Sequence, residues 1–147
     1  MNAISRRLLL RAAALLPFAA AGITLGHAQT APHKPYRVVI QVTDNDPARW
    51  NMVLNNTRNA QEDLGAANVE IEIVAYGPGL NMLKSDSVVG SRIDEALKTG
   101  VKVVACQNTM RGMKLTPQDM LPTVGYVPAG VTEIMKKQSD GWLYLRP

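Results

Sequence analysis

The chain is short of cysteine, histidine and aromatic residues. Of its 147 residues, one is cysteine, two are histidine and one is phenylalanine. The single thiol, Cys106, excludes an internal disulfide, so the fold must rest on an apolar core. One domain of this length has residues enough for that. His33 is the only histidine beyond the first thirty residues. That argues against a histidine-based zinc site and against a cysteine–histidine nucleophile pair. Aromatic residues make up 5% of the chain, and no lysine–arginine run with interleaved aromatics occurs. The footprint of a nucleic-acid binder is therefore missing. There is no P-loop, no GxGxxG, no internal repeat and no low-complexity tract.

What is present begins at the N-terminus. Ser5-Arg6-Arg7-Leu8-Leu9-Leu10-Arg11 fits a twin-arginine export pattern: a polar residue, paired arginines, apolar residues and a base. The apolar stretch that follows, Ala12 to Leu25, is interrupted by Pro17 and Gly22. It falls short of the ~20 residues of a membrane span, as an uncleaved anchor would need, but suits a signal peptide. Gly26-His27-Ala28 ends in small residues and places cleavage after Ala28. The expectation is residues 1–28 as signal, a flexible polar lead-in over 29–35, and one domain over 36–147. The mature form would be periplasmic, with no stable membrane insertion.

Removing the signal changes the charge. The 16 basic residues lose Arg6, Arg7 and Arg11, leaving thirteen against 12 acids, a net charge of about +1. The basic balance of the precursor is thus no sign of a nucleic-acid partner.

The rest reads as strands alternating with helices. Tyr36 to Thr43 is a β-branched strand. Asp46 suits an N-cap and Pro47 a first helical position. Trp50, Val53, Leu54, Thr57, Ala60 and Leu64 then form one apolar helical face, which Gly65 ends. Val69 to Tyr76 is a second strand; Glu70 and Glu72 alternate with apolar residues, which predicts one partly wet face. Gly77-Pro78-Gly79 reads as a tight turn. Ser85 to Ser87 can cap a helix that Gly100 ends. Val101 to Ala105 is a short apolar strand, and Gln107 to Arg111 a helical turn after it. Thr116 to Leu121, Thr123 to Val127, Val131 to Gln138 and Trp142 to Leu145 read as helix, strand, helix and strand. This alternation implies a mostly parallel sheet of about five strands with helices on both faces. In such a sheet, ligands sit beyond the C-terminal strand ends. Cys106 falls there, with Asp44-Asn45-Asp46, Gly77-Pro78-Gly79 and Pro128-Ala129-Gly130.

Several stretches together resemble the DsrE/DsrF-like family, which includes the TusD-type sulfur-relay subunits. They are Asp44-Asn45-Asp46-Pro47 with Trp50 and Leu54-Asn55-Asn56, and Ala75-Tyr76-Gly77-Pro78-Gly79. Further on come Ala105-Cys106-Gln107-Asn108-Thr109-Met110, and Pro128-Ala129-Gly130-Val131 leading to Gln138 and Gly141-Trp142. The resemblance spans 36–147 and is closest to small single-domain members. It implies a flavodoxin-like three-layer sandwich assembled as a trimer or hexamer. It also implies a persulfide on the cysteine after the central strand, here Cys106, and exchange of sulfur with a donor or acceptor protein. No cofactor is implied.

Cys106 has two readings: a small buried hydrophobe, or a reactive thiol. A reactive thiol should be exposed at the strand ends and stabilised there. Backbone N–H groups of Gln107 and Asn108 would serve, with Asn45 donating from a nearby loop and Gly77 walling the pocket. Arg111 and Lys114 would add positive potential. Met110, Met113 and Met120 offer soft ligands for Cu(I), although methionine at such spacing is commonly core. Asp44 and Asp46 are acid–base candidates, with Asp46 also a cap.

Overall fold

The computed structural model describes residues 35–147. The export segment, its cleavage point and His33 lie outside the described residues. Five strands form one sheet: β1 (Tyr36–Val42), β2 (Val69–Ala75), β3 (Lys102–Cys106), β4 (Gly125–Val127) and β5 (Leu143–Leu145). Their order is β4-β3-β2-β1-β5, and all four pairings are parallel. The helices between them are α1 (Pro47–Leu64), α2 (Gly90–Lys98), α3 (Gln107–Gly112) and α4 (Gly130–Ser139).

The sheet has two unequal faces. Val38, Ile40 and Val42 of β1 join Ile71 and Ile73 of β2 and Val103 of β3 in a large apolar cluster. Trp50, Val53 and Leu54 of α1 and Ile93 of α2 cover it. The opposite face carries a smaller cluster of Val39, Val74, Ile134 and Trp142, covered by α4. Helices therefore lie on both faces, as in a flavodoxin-like sandwich.

α1 starts where the sequence places it. Asp46 Oδ1 accepts from the Ala48 N–H at 2.8 Å, and Pro47 opens the helix. This capping role absorbs Asp46. Trp50 is core, and its Nε1–H donates to the Asp44 carbonyl at 2.7 Å.

Two expectations change. Gly77-Pro78-Gly79 is not a simple turn; it begins a 3-10 helix, Gly77–Leu83. Leu80, Met82 and Leu83 in it are fully buried. Gly79 permits this docking, because a Cβ there would lie 2.4 Å from the Val42 carbonyl oxygen. The segment delays the next helix, so α2 begins at Gly90 rather than at the serines of 85–87.

The partly wet face of β2 holds at Glu70, which is half-buried, but not at Glu72. Glu72 is 3% exposed. Lys137 of α4 reaches it, with Nζ 2.6 Å from Oε2, and stands 4.2 Å from the centre of the Trp142 ring. Burial pushes the Glu72 carboxyl up, and the Lys137 hydrogen bond and charge only partly oppose this.

Candidate functional site

The chain path opens a crevice at Cys106. β3 runs into α3, whose Met110 packs in the large cluster. β4 runs into α4, whose Ile134 packs in the small one. The connections leaving these neighbouring strands thus diverge to opposite faces. In parallel sheets such a divergence leaves room for a ligand at the C-terminal ends. Cys106 ends β3, opposite Val127 of β4, and the Asn108 N–H bonds the Pro128 carbonyl across the gap at 3.2 Å.

Cys106 is 4% exposed, yet it belongs to neither apolar cluster. It is the N-cap of α3, and Sγ accepts from the Thr109 N–H at 3.5 Å. The Thr109 hydroxyl and the backbone N–H groups of Gly130 and Asn108 are further polar groups that favour its charged form. Burial raises the pKa of the thiol, but these groups outweigh burial and hold it below the ordinary thiol range. The site is thus buried and anion-stabilising at once, a combination that neither sequence reading of the thiol contains.

The donors differ in part from those the sequence suggests. Asn108 contributes its N–H, while its Oδ1 accepts from Arg111. Gln107 is not among the donors; it is exposed and lines a separate groove with Met110, Arg111 and Tyr126. Asn45 is exposed in the loop after β1, and β2 separates that strand from β3. Gly77 gives its N–H to Thr109 Oγ1 at 3.0 Å. Arg111 and Lys114 are not among the causes of the thiol's shift, which are burial and hydrogen bonds. Met110 and Met120 pack in the large apolar cluster, the commoner role for methionine.

Sequence reasoning missed Thr109, Gly130 and Tyr76. The signal for Thr109 is its position three residues after a capping side chain, where a backbone N–H turns toward the cap. Gly130 is the first residue of α4, against which the Tyr76 ring packs. Burial and then the neighbouring Tyr144 push the Tyr76 phenol up, and Cys106 adds to this.

Beside Thr109 lies an open groove of about 430 Å³, lined by Gly77, Pro78, Asn81, Thr109, Gly112 and Met113. A cavity of about 200 Å³ between α1 and α2, lined by Leu54, Arg58 and Arg92 among others, contains no residue of the strand-end loops. Among the described residues no helix is long and apolar enough to cross a membrane.

The comparisons agree with a parallel α/β sandwich. The DsrE/DsrF-like family model matches residues 36–147, and the chain belongs to that family. Membership associates it, at the level of the family, with sulfur-relay chemistry. The solved structure of MTH1491 from Methanobacterium thermoautotrophicum, a protein of unknown function, is 38% identical with a TM-score of 0.73. The match covers 76% of this chain and 99% of that one. Two more distant structures share the fold. BT1422 from Bacteroides thetaiotaomicron, also of unknown function, is 19% identical with a TM-score of 0.63, covering 76% and 94% of the two chains. The ychN protein of E. coli is 10% identical with a TM-score of 0.61, covering 76% and 99%. No curated protein matches the chain.

Proposed function

We propose that this protein carries sulfane sulfur as a persulfide on Cys106, acting as a carrier more than as a turnover enzyme. The observation that supports this is the Thr109 N–H aimed at Sγ, 3.5 Å away, in surroundings that lower the thiol's pKa despite its burial. A merely packed thiol has no use for polar groups that favour its charged form, whereas a thiolate or a persulfide anion does. The transfer needs no external oxidant. The Cys106 thiolate attacks the outer sulfur of a donor persulfide, an S–S bond forms, the donor's own S–S bond breaks, and the donor leaves as a thiolate. The reverse exchange passes the sulfur to an acceptor thiol. Reaction of the native protein with polysulfide, read by intact mass, tests the assignment.

A second reading keeps Cys106 as a packed residue of a small-ligand or partner-binding module. Its support is the low exposure of the thiol, 4%. That reading expects no adduct on the native protein.

The carrier acts outside the cytoplasm, after export on the twin-arginine signal, and as a trimer or hexamer. Support for assembly comes from apolar residues left uncovered on α4 and β5: Val131, Met135, Leu143 and Leu145 are 53%, 63%, 58% and 47% exposed. Burying them between copies would be favourable.

A further inference from the structure

The cavity of about 200 Å³ between α1 and α2 lies on the sheet face opposite α4, away from the strand-end loops. Two ties between the helices flank it. At one, Gln61 and Thr99 exchange hydrogen bonds. The Gln61 amide donates to the Thr99 carbonyl at 3.0 Å, and the Thr99 hydroxyl donates to Gln61 Oε1 at 2.9 Å. At the other, the Arg92 guanidinium donates to Asn51 Oδ1 and, at 2.7 Å, to Asn55 Oδ1. Leu54, which is buried, and Ala96, which is half-buried, give the cavity an apolar floor.

The first tie shows that these helices can be joined without charge. The second uses a half-buried arginine whose acceptors are two neutral amides. A cation drawn out of water ordinarily has an anion beside it. Among the described residues Arg92 forms no ion pair. Glu95, one turn on along α2, lines the cavity but is exposed and forms no ion pair either. Arg58 brings a second guanidinium to the lining. Its partner Glu62 stands 3.6 Å away and both side chains are mostly exposed, so that pair is weak and easily shared.

We infer that this cavity binds a small monocarboxylate with an apolar body. The bonds to Asn51 and Asn55 occupy two of the five N–H donors of Arg92. They hold the plane of the guanidinium and leave donors over for a carboxylate, whose two oxygens match its fork. The apolar body would lie on Leu54 and Ala96. Its size is that of one ring or a short aliphatic chain, since an apolar cavity of about 150 Å³ takes up benzene. Charge narrows the class. The lining holds two guanidiniums, of Arg58 and Arg92, against the one carboxylate of Glu95, a surplus of one positive charge. One negative charge cancels it, and Glu95 disfavours a second, which excludes phosphate and dicarboxylates. The site is remote from Cys106 and does not depend on the carrier reading.

Amide NMR of the purified protein, titrated with sodium benzoate, tests this. Benzamide offers the same ring without the charge, inorganic phosphate the charge without the ring, and sodium chloride the same ionic strength. Benzoate should shift the amides of α1 and α2 around Arg58 and Ala96 to saturation. It should bind about tenfold more tightly than benzamide, the worth of a hydrogen bond to a charged group, and more tightly than phosphate. Arg92→Gln keeps a donor for the asparagines and removes the charge, and should weaken benzoate about tenfold. Ala96→Leu fills the floor, leaves Arg92 in place and should abolish binding; it carries the test if Arg92→Gln does not fold. Benzoate shifts that never saturate, or benzamide that binds as well as benzoate, overturn the proposal. So does benzoate binding that survives both substitutions. Equal shifts with chloride would mean an adventitious ion only and overturn it too.

Discussion

The ring of Tyr76 occupies the space that a side chain on Gly130 would need: a Cβ there would lie 2.8 Å from Tyr76 Cδ1 and 3.0 Å from its Cβ. This contact presses the first turn of α4 against the end of β2 and brings the Gly130 N–H to Cys106. The donor set around the thiol therefore depends on a missing side chain.

Gly130→Ala should move either the ring or the helix start. Overpacking of this kind costs roughly 1–3 kcal/mol. Thermal unfolding should show that loss, and the Cys106 titration should shift upward as one donor withdraws. An unchanged titration with full stability would show that the contact is slack.

Glu72 and Lys137 predict a pH dependence. The folded-state pKa of Glu72 is raised above its ordinary value of 4.5. A group with a raised folded pKa favours the fold fully below its unfolded pKa, and that advantage is lost as pH rises through the folded pKa. Lys137→Met removes the partner and raises the Glu72 pKa further. Its destabilisation should be small in acid and grow above the ordinary carboxyl range to about 3–5 kcal/mol. Denaturant melts at several pH values measure this. A cost independent of pH would mean that Lys137 contributes only packing to Trp142.

The exposed apolar residues of α4 make assembly testable. Val131→Asp with Met135→Asp should dissociate the proposed trimer or hexamer to monomers while leaving the fold intact, since both side chains are mostly exposed. Light scattering and circular dichroism read the two outcomes. A parent protein already monomeric at micromolar concentration ends the oligomer proposal.

The export proposal rests on Arg6 and Arg7. Arg6→Lys with Arg7→Lys should leave precursor in the cytoplasm, seen by fractionation. The wild-type mature form should begin at Gln29. Unchanged export of the lysine variant would point to the general secretory route.

Much of this architecture is legible in the sequence because strands and helices announce themselves locally. The β-branched runs at Tyr36, Val69 and Val101 and the Asp46–Pro47 helix start carry the parallel sheet almost alone. The end of the third run also places Cys106 at a strand terminus. What stayed hidden depends on distant partners. Glu72 reads as a wet position because nothing beside it reveals Lys137, which arrives from α4. Leu80, Met82 and Leu83 sit behind glycines and a proline that signal a turn, and their burial follows from docking onto β1 and β3. The polar groups near the thiol come from α3 and from the start of α4, so Asn108 and Thr109 lie within reach of a local reading while Gly130 does not.

The central claim is that the Cys106 sulfur is held as a reactive anion despite its burial. The most direct measurement is native mass spectrometry after incubation with polysulfide. The account predicts one added sulfur, roughly 32 mass units, that dithiothreitol removes. It further predicts that Cys106→Ser abolishes the adduct while fold and stability are nearly kept, because a hydroxyl at this position meets donors rather than apolar neighbours. The contrary result is a native protein that gains no reducible sulfur and a Cys106→Ser variant that is clearly destabilised. That pair would make Cys106 a packed core residue and end the carrier assignment.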